Sequence, residues 1–248
     1  MQLFGLIGYP LSHSFSKGYF AEKFQKEGIE GCLYDNYPID NISLLPEIIK
    51  NNPELIGLNV TIPYKEKVLT YLDSISDEAK EIGAVNTIRI KRLNEQIILS
   101  GFNTDVYGFG ESLKLLLEPH HTSALILGTG GASKAVKFAL NKMEINFLQV
   151  SRTRSDTSLA YEDLTREIIE AHKIIINTTP LGTFPKVEEC PPLPYQYLSS
   201  KHLLYDLVYN PSVTAFLNHG LKHHCRIKNG LEMLHLQAEK AWEIWNGK

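Results

Sequence analysis

The sequence predicts an α/β protein of two lobes, and two observations carry that expectation. Short apolar runs such as "LIGLNVTI", "ALILG" and "KIIIN" alternate with helix-length amphipathic segments along the 248 residues, the pattern of sheets covered by helices. After "EPHHTS" the rhythm tightens into strand, glycine loop, helix and strand, the spacing of βαβ units. The division falls near residue 105.

The elements follow in order. "QLFGLIG" reads as a strand, and a helix runs from Ser14 to about Lys26 with Phe15, Tyr19, Phe20 and Phe24 on one face. "CLYDNYPI", "LIGLNVTI" and "NTIRIKRL" are further strands. Leu93-Asn94-Glu95 turns the last of these into "QIILSGF" as an antiparallel hairpin at a sheet edge, which makes the first sheet mixed. Thr104 or Asp105 caps a helix through Leu117. In the second lobe, "ALILG" leads into a helix from about Ser133 to Met143, then strand "NFLQVS", a helix around Glu162–Glu170 and strand "KIIINTTP". The proline-rich "FPKVEECPPLPYQYL" is irregular. Strand "HLLYDLVY", a helix from about Ser212 to Gly220, a strand near Cys225–Ile227 and an amphipathic helix from Leu231 to Trp245 complete the chain.

Composition excludes several classes. An apolar share of 43% and a charged share of 21% are those of a soluble globular protein. A net charge of −3 without a basic stripe argues against nucleic acid as a partner. The apolar runs fall far short of the ~20 residues of a membrane span, and "MQLFGLIGYP" has neither the basic flank nor the cleavage site of a signal peptide. Cys32, Cys190 and Cys225 form no CxxC and read as reduced thiols, so a cytoplasmic protein is expected.

Two groups of residues carry chemistry. "LILGTGGASKAV" places Gly128, Gly130 and Gly131 between a strand and a helix, where backbone N–H groups can approach a pyrophosphate; Ser133 stands where the third glycine of G-x-G-x-x-G would be. A glycine-rich structural turn is the alternative. The tip of the next strand reads "SRTR", Ser151 to Arg154, without the acid that an NAD site offers there; Arg152 and Thr153 suit a 2′-phosphate, so NADP is expected over NAD. Asp156 opposes that charge.

In the first lobe, four polar patches recur at strand ends: "HSFS", "NVTIPYK", "AVNT" and "NTD". Ser14 and Ser16 at a helix start can bind a carboxylate, or can simply cap the helix. Asn59 and Thr61 are two apart on a strand that Pro63 ends, with Leu58, Val60 and Ile62 on its core face and Lys65 beyond. With Asn86 and Asp105 this set suits a polyhydroxylated substrate. One carboxylate, and a His13 without a partner at ligand spacing, predict no metal.

These motifs, in order and over almost the whole chain, resemble those of the shikimate dehydrogenase family. "GYPLSHSFS" is similar to its carboxylate-binding serine motif, "NVTIPYKE" to its catalytic lysine motif and "GAVNTI" to its asparagine strand. "GFNTDVYGF" resembles the catalytic aspartate segment, "GTGGASKAV", "SRT" and "NTTPLG" the NADP-binding elements, and "DLVYNPSVTAFL" and "GLEMLHLQA" the C-terminal motifs. The resemblance implies NADPH-dependent reduction of 3-dehydroshikimate to shikimate, with Lys65 and Asp105 catalytic. It implies substrate contacts from Ser14, Ser16, Thr61, Asn86, Tyr209 and Gln237, beside the Asn59 already singled out. Cofactor contacts are expected from Gly128, Thr129, Gly130, Gly131, Ala132, Ser151, Arg152, Thr153, Arg154 and Thr178, with Leu207 and Gly230 near the nicotinamide.

The implied organisation is a substrate-binding domain of residues 1–104 plus 231–248 and a Rossmann-like NADP-binding domain of residues 105–230, the C-terminal helix returning to the first lobe. A monomer or homodimer is expected. The chain departs from the family pattern at Lys17, where proline is usual, at Ser151, where asparagine is usual, and at Asp156, where a basic residue is frequent; Arg154 is the candidate replacement clamp. Two other readings remain: a quinate/shikimate dehydrogenase using NAD, against which the missing acid argues, and a non-catalytic nucleotide-binding sensor, against which Lys65 and Asp105 argue.

Overall fold

The computed structural model describes all residues except Ser12, His13, Glu95 and Lys248, so His13 of the serine patch and Glu95 of the hairpin turn lie outside the described residues. The chain divides into two compact units, Met1–Thr104 with Ala238–Lys248, and Asp105–Gln237.

The first unit contains β1 (Gln2–Gly8), α1 (Phe15–Lys26), β2 (Cys32–Pro38), α2 (Leu45–Asn51), β3 (Leu55–Val60), β4 (Ser74–Ile75), α3 (Asp77–Ile82), β5 (Thr87–Leu93) and β6 (Gln96–Phe102). Its sheet runs β2-β1-β3-β5-β6-β4. β1 pairs parallel with β2 and β3, whereas β5 runs antiparallel to both β3 and β6, so the sheet is mixed. α2 and α3 occupy stretches that the sequence reading leaves without helices.

Both faces of this sheet are covered. One packs Ile7, Leu58, Val60, Ile88 and Ile90 into a core with Leu45 and Ile49 of α2. The other packs Phe4 and Leu6 with Phe20 and Phe24 of α1 and Trp245 from the chain's end. Gly57 makes that last contact possible: a Cβ there would come within 2.4 Å of the Trp245 ring. A strand glycine commonly marks such a close approach. The indole Nε1–H also donates to the Ile88 carbonyl at 3.0 Å, which keeps a buried donor satisfied.

β3 is shorter than the alternation suggests. It ends at Val60, and Ile62, expected on the core face, is 74% exposed. The chain turns there instead, Tyr64 N–H donating to Thr61 O at 2.9 Å. Tyr64 takes the next core position, 2% exposed, with its hydroxyl donating to Ile39 O at 2.6 Å. A turn changes the side-chain period, so alternation cannot be extrapolated through it.

The second unit contains α4 (Asp105–Lys114), β7 (Ser123–Leu127), α5 (Gly131–Lys142), β8 (Asn146–Ser151), β9 (Leu159–Ala160), α6 (Arg166–Ala171), β10 (Ile174–Asn177), β11 (Leu203–Asp206), α7 (Ala215–Lys222) and β12 (Arg226–Lys228). α8 (Leu231–Trp245) follows, and the division between units falls inside it rather than before it. The sheet, β12-β11-β10-β7-β8-β9, is parallel throughout. Its strands read as unbroken apolar runs, Leu125, Ile126, Leu127, Ile174, Ile175 and Ile176 all being 0% exposed, as a sheet covered on both faces requires. The helix expected around Glu162–Glu170 begins only at Arg166, because the Thr165 hydroxyl caps it by accepting from Ile168 N–H. The helix expected from Ser212 likewise waits for its cap, Thr214.

Replacing Trp245 by alanine removes the anchor of α8 from the first unit and is expected to cost about 3 kcal/mol or more. Urea unfolding monitored by circular dichroism checks this; an unchanged midpoint would refute the anchoring role.

Candidate functional site

In the first unit, polar groups gather around the C-terminal ends of β1 and β3 and the start of β5. Ser14 holds the N-cap position of α1 yet makes no side-chain capping bond. Its Oγ is buried and, among the described residues, has no hydrogen-bond partner. Capping therefore does not account for this serine, and a buried hydroxyl left unpaired is costly unless a ligand completes it. Ser16 lies half-buried in the first turn of the same helix.

The lysine loop is held by its backbone. Thr61 N–H donates to Ile7 O at 2.9 Å, and the Lys65 carbonyl accepts from Val85 N–H at 2.8 Å. That bond ties the loop to the segment bearing Asn86. Lys65 and Thr61 are half-buried.

Beneath the loop lies a cluster of buried amides and hydroxyls: Asn59, Asn86, Thr87, Asn103 and Thr104 are all at most 5% exposed. Asn59 is expected to face a ligand, but its amide is committed to the protein. Oδ1 accepts from the Tyr34 hydroxyl at 2.8 Å, and Nδ2 donates to Asn86 O and Thr87 Oγ1, both at 3.3 Å. Asn59 is thus a framework group. Asn86 Oδ1 accepts from Thr104 N–H at 2.7 Å, and its Nδ2 donates to Thr104 Oγ1 at 3.0 Å. The sequence reading gives Tyr34, Thr87 and Thr104 no framework role; the recurrence of Asn-Thr in "AVNT" and "NTD" is the signal that could have found the two threonines.

Asp105 opens α4, 7% exposed, where the helix dipole favours a carboxylate. In the same unit, Gly128 leaves β7 at φ +109° with its Cα against Thr178, whose Oγ1 a Cβ would approach to 2.8 Å. Only glycine suits both demands. Gly130 and Gly131 begin α5, and a Cβ on either would meet nothing within 4 Å, so this helix N-terminus is uncovered. Thr129 is exposed and Ala132 half-buried beside them.

Ser133, in place of the third glycine, donates to Gly130 O at 2.7 Å. Gln149 of β8 donates to Gly128 O at 2.8 Å and to Ser133 Oγ at 3.3 Å. The sequence reading missed this brace, which holds the loop from behind.

At the tip of β8, Ser151 is half-buried and hydrogen-bonded to Thr153 O, while Arg152 and Thr153 are exposed. Arg154, the candidate second phosphate clamp, is paired within the protein. Its guanidinium is held bidentately by Asp163, with Nε 3.0 Å from Oδ2. Asp163 is itself fixed by Ala160 N–H at 2.8 Å, so the arginine is directed back to its own loop. Among the described residues, no carboxylate holds Arg152.

The loop after β11 carries Leu207 and Tyr209. Leu207 N–H donates to Asn177 O at 2.9 Å, and its carbonyl would lie 2.1 Å from a Cβ at position 230, so Gly230 backs directly onto it. Asp206 anchors this loop. It is 0% exposed and accepts from Asn177 Nδ2 at 2.9 Å, Val208 N–H at 3.0 Å and Thr214 Oγ1 at 2.5 Å. Burial pushes its carboxyl up to about 6, against those three donors, which favour the ionised form. Tyr209 is half-buried, and Gln237 on α8 is 8% exposed with Nε2 donating to Leu234 O at 2.9 Å. Among the described residues, no three metal-ligating side chains gather, and no helix is long and apolar enough to cross a membrane.

Residues 6–88 match the shikimate dehydrogenase substrate binding domain. A shikimate dehydrogenase (NADP(+)) of Clostridium beijerinckii is 40% identical, over 99% of this chain and 92% of its own. Another, of Caldanaerobacter subterraneus subsp. tengcongensis, is 37% identical over 100% of this chain and 92% of its own. The structure of shikimate 5-dehydrogenase from Thermus thermophilus in complex with NADP(H) and shikimate superimposes with a TM-score of 0.85 at 32% identity, covering 100% of this chain and 94% of that one.

Because the Asp206 carboxyl is raised from 3.8 to about 6, the folded protein retains between those pH values a proton that the unfolded chain has lost. Stability from this group therefore falls as pH rises through that window. Between pH 4 and 7 the wild type is expected to lose about 2 kcal/mol relative to Asp206→Asn. Urea unfolding of both proteins at several pH values measures the difference, and parallel pH profiles would contradict it.

Proposed function

The chain belongs to the shikimate dehydrogenase family, and we propose that it catalyses the reversible NADPH-dependent reduction of 3-dehydroshikimate to shikimate in aromatic amino-acid biosynthesis. The observation that carries the chemistry is the fastening of the Lys65 loop to the Asn86 segment, Val85 N–H to Lys65 O, in the unit that also holds the buried hydroxyl of Ser14, unpaired among the described residues. An ammonium, an amide and a hydroxyl are what a carboxylated, polyhydroxylated ring ketone requires.

The residues of the second unit fit the cofactor. The uncovered N-terminus of α5 offers backbone N–H groups to a pyrophosphate across Thr129, Gly130, Gly131 and Ala132, while Gly128, whose N–H donates to Val150 O, makes the turn beneath it. Arg152 binds the 2′-phosphate, with Ser151 and Thr153 beside it. Thr178, Leu207 and Gly230 line the rest by position. Bound NADPH supplies the hydride.

The protein supplies orientation and the proton. Ser14 and Ser16 donate to the substrate carboxylate; Thr61, Asn86, Tyr209 and Gln237 engage its hydroxyls. Lys65 as an ammonium polarises the ketone and delivers a proton to the alkoxide oxygen as it forms. In the reverse direction it takes that proton from the hydroxyl. Asp105 accepts from a substrate hydroxyl. Analogues lacking these hydroxyls leave the polar groups of the site unpaired and are rejected on that account. The enzyme is a cytoplasmic monomer or homodimer acting on small molecules, consistent with its net charge of −3 and no basic stripe.

Lys65→Ala is expected to lower kcat about 100-fold or more while KM for shikimate changes little; steady-state absorbance at the nicotinamide band measures both, and near-normal turnover would sink the assignment. Arg152→Ala is expected to raise KM for NADPH about tenfold without altering that for NADH. An unchanged KM for NADPH would place the phosphate elsewhere.

A further inference from the structure

The groups beneath Asn86 are more ordered than packing alone requires. Two backbone groups settle the orientation of the amides on either side of Thr87. The N–H of Thr104 can only donate, and it lies 2.7 Å from Asn86 Oδ1, so that atom is the oxygen. The backbone carbonyl of Asn86 can only accept, and it lies 3.3 Å from Asn59 Nδ2, so that atom is the nitrogen.

The hydroxyl protons then follow. Thr87 Oγ1 accepts from Asn59 Nδ2 at 3.3 Å, which leaves its single proton for Asn86 Oδ1 at 3.2 Å or Thr104 Oγ1 at 3.2 Å. Thr104 Oγ1 already accepts from Asn86 Nδ2 at 3.0 Å. At the far end the Tyr34 hydroxyl must donate to Asn59 Oδ1, 2.8 Å away. Thr104 Oγ1 is itself 3.2 Å from Asn86 Oδ1, so the donors point one way from Tyr34 through Asn59 and Thr87 to Asn86 Oδ1, directly or by way of Thr104. Tyr34 is 6% exposed and Thr87 0%, so the file lies out of water, where aligned hydrogen bonds strengthen one another. Asn86 Oδ1, facing Thr104 N–H and Thr87, is held on the protein side.

We propose that Thr87, backed by Tyr34, is a positioning residue that holds the Asn86 amide with its oxygen inward, so that Asn86 meets the substrate as a hydrogen-bond donor and selects a group able to accept. This rests on the reading that Asn86 contacts substrate. Thr87 is 0% exposed and acts through Asn86, whereas the Tyr34 hydroxyl also pairs with Ser16.

Thr87→Val keeps the branched shape and removes the hydroxyl; Thr87→Ser keeps the hydroxyl and removes the methyl. The valine variant is expected to raise KM for shikimate about tenfold, with kcat within about twofold and KM for NADP unchanged, and the serine variant to stay near wild type. The proposal is overturned if the valine variant keeps the wild-type KM, or if serine is as impaired as valine, which would make packing the cause. A rise shared equally by KM for NADP overturns it too. Should urea unfolding show that Thr87→Val does not fold, Tyr34→Phe replaces it. That variant keeps the ring stacked on Phe20 and is expected to show the same split, while a wild-type KM refutes the file. A wild-type enzyme that fails to oxidise shikimate with NADP overturns the functional reading itself, a result that needs no variant.

Discussion

Buried polar groups must be paired, and the first unit is arranged around that constraint. Asn59 and Asn86 sit inside a sheet core, where an unpaired amide is costly. Their carbonyl and amino ends are matched instead to Tyr34, Thr87, Thr104 and two backbone groups. The pairing joins β2, β3, β5 and the approach to α4 at one level of the sheet. The strand ends thereby gain a rigid base.

Apolar packing supports that base from the other side. Tyr34 reaches Asn59 because its ring is stacked on Phe20 of α1, centroids 4.6 Å apart at 12°. The same helix begins with Ser14 and Ser16, so the aromatic stack that orients the amides also locates the serines. Trp245 extends the stack across Gly57, which carries the end of α8 onto β3. Lys23, nearly buried, adds an ion pair to Glu239 of α8 at 2.8 Å.

The second unit meets its own polar demands with a different device. Gly128 turns the chain at the end of β7, where the strand order β10-β7-β8 reverses direction, the switch point at which parallel sheets bind ligands. Gln149 and Ser133 satisfy the loop carbonyls from behind, and Gly128 N–H donates to Val150 O at 2.8 Å. Asp206 does the same for the loop carrying Leu207 and Tyr209, at the cost of a raised carboxyl pKa.

The sequence by itself determined the two α/β units, the mixed and the parallel sheet, the glycine loop and the order of the motifs, because these depend on local periodicity and on residues close together in the chain. The tertiary structure alone decided which polar side chains are framework. Tyr34 and Asn59 are 25 residues apart, and Asn86 and Thr104 are 18 apart, so no local pattern pairs them. It also decided that Tyr64 rather than Ile62 enters the core, since a turn resets the alternation, and that Arg154 belongs to Asp163. A side chain's partner is set by the chain brought beside it, and charge or spacing along the sequence does not contain that information.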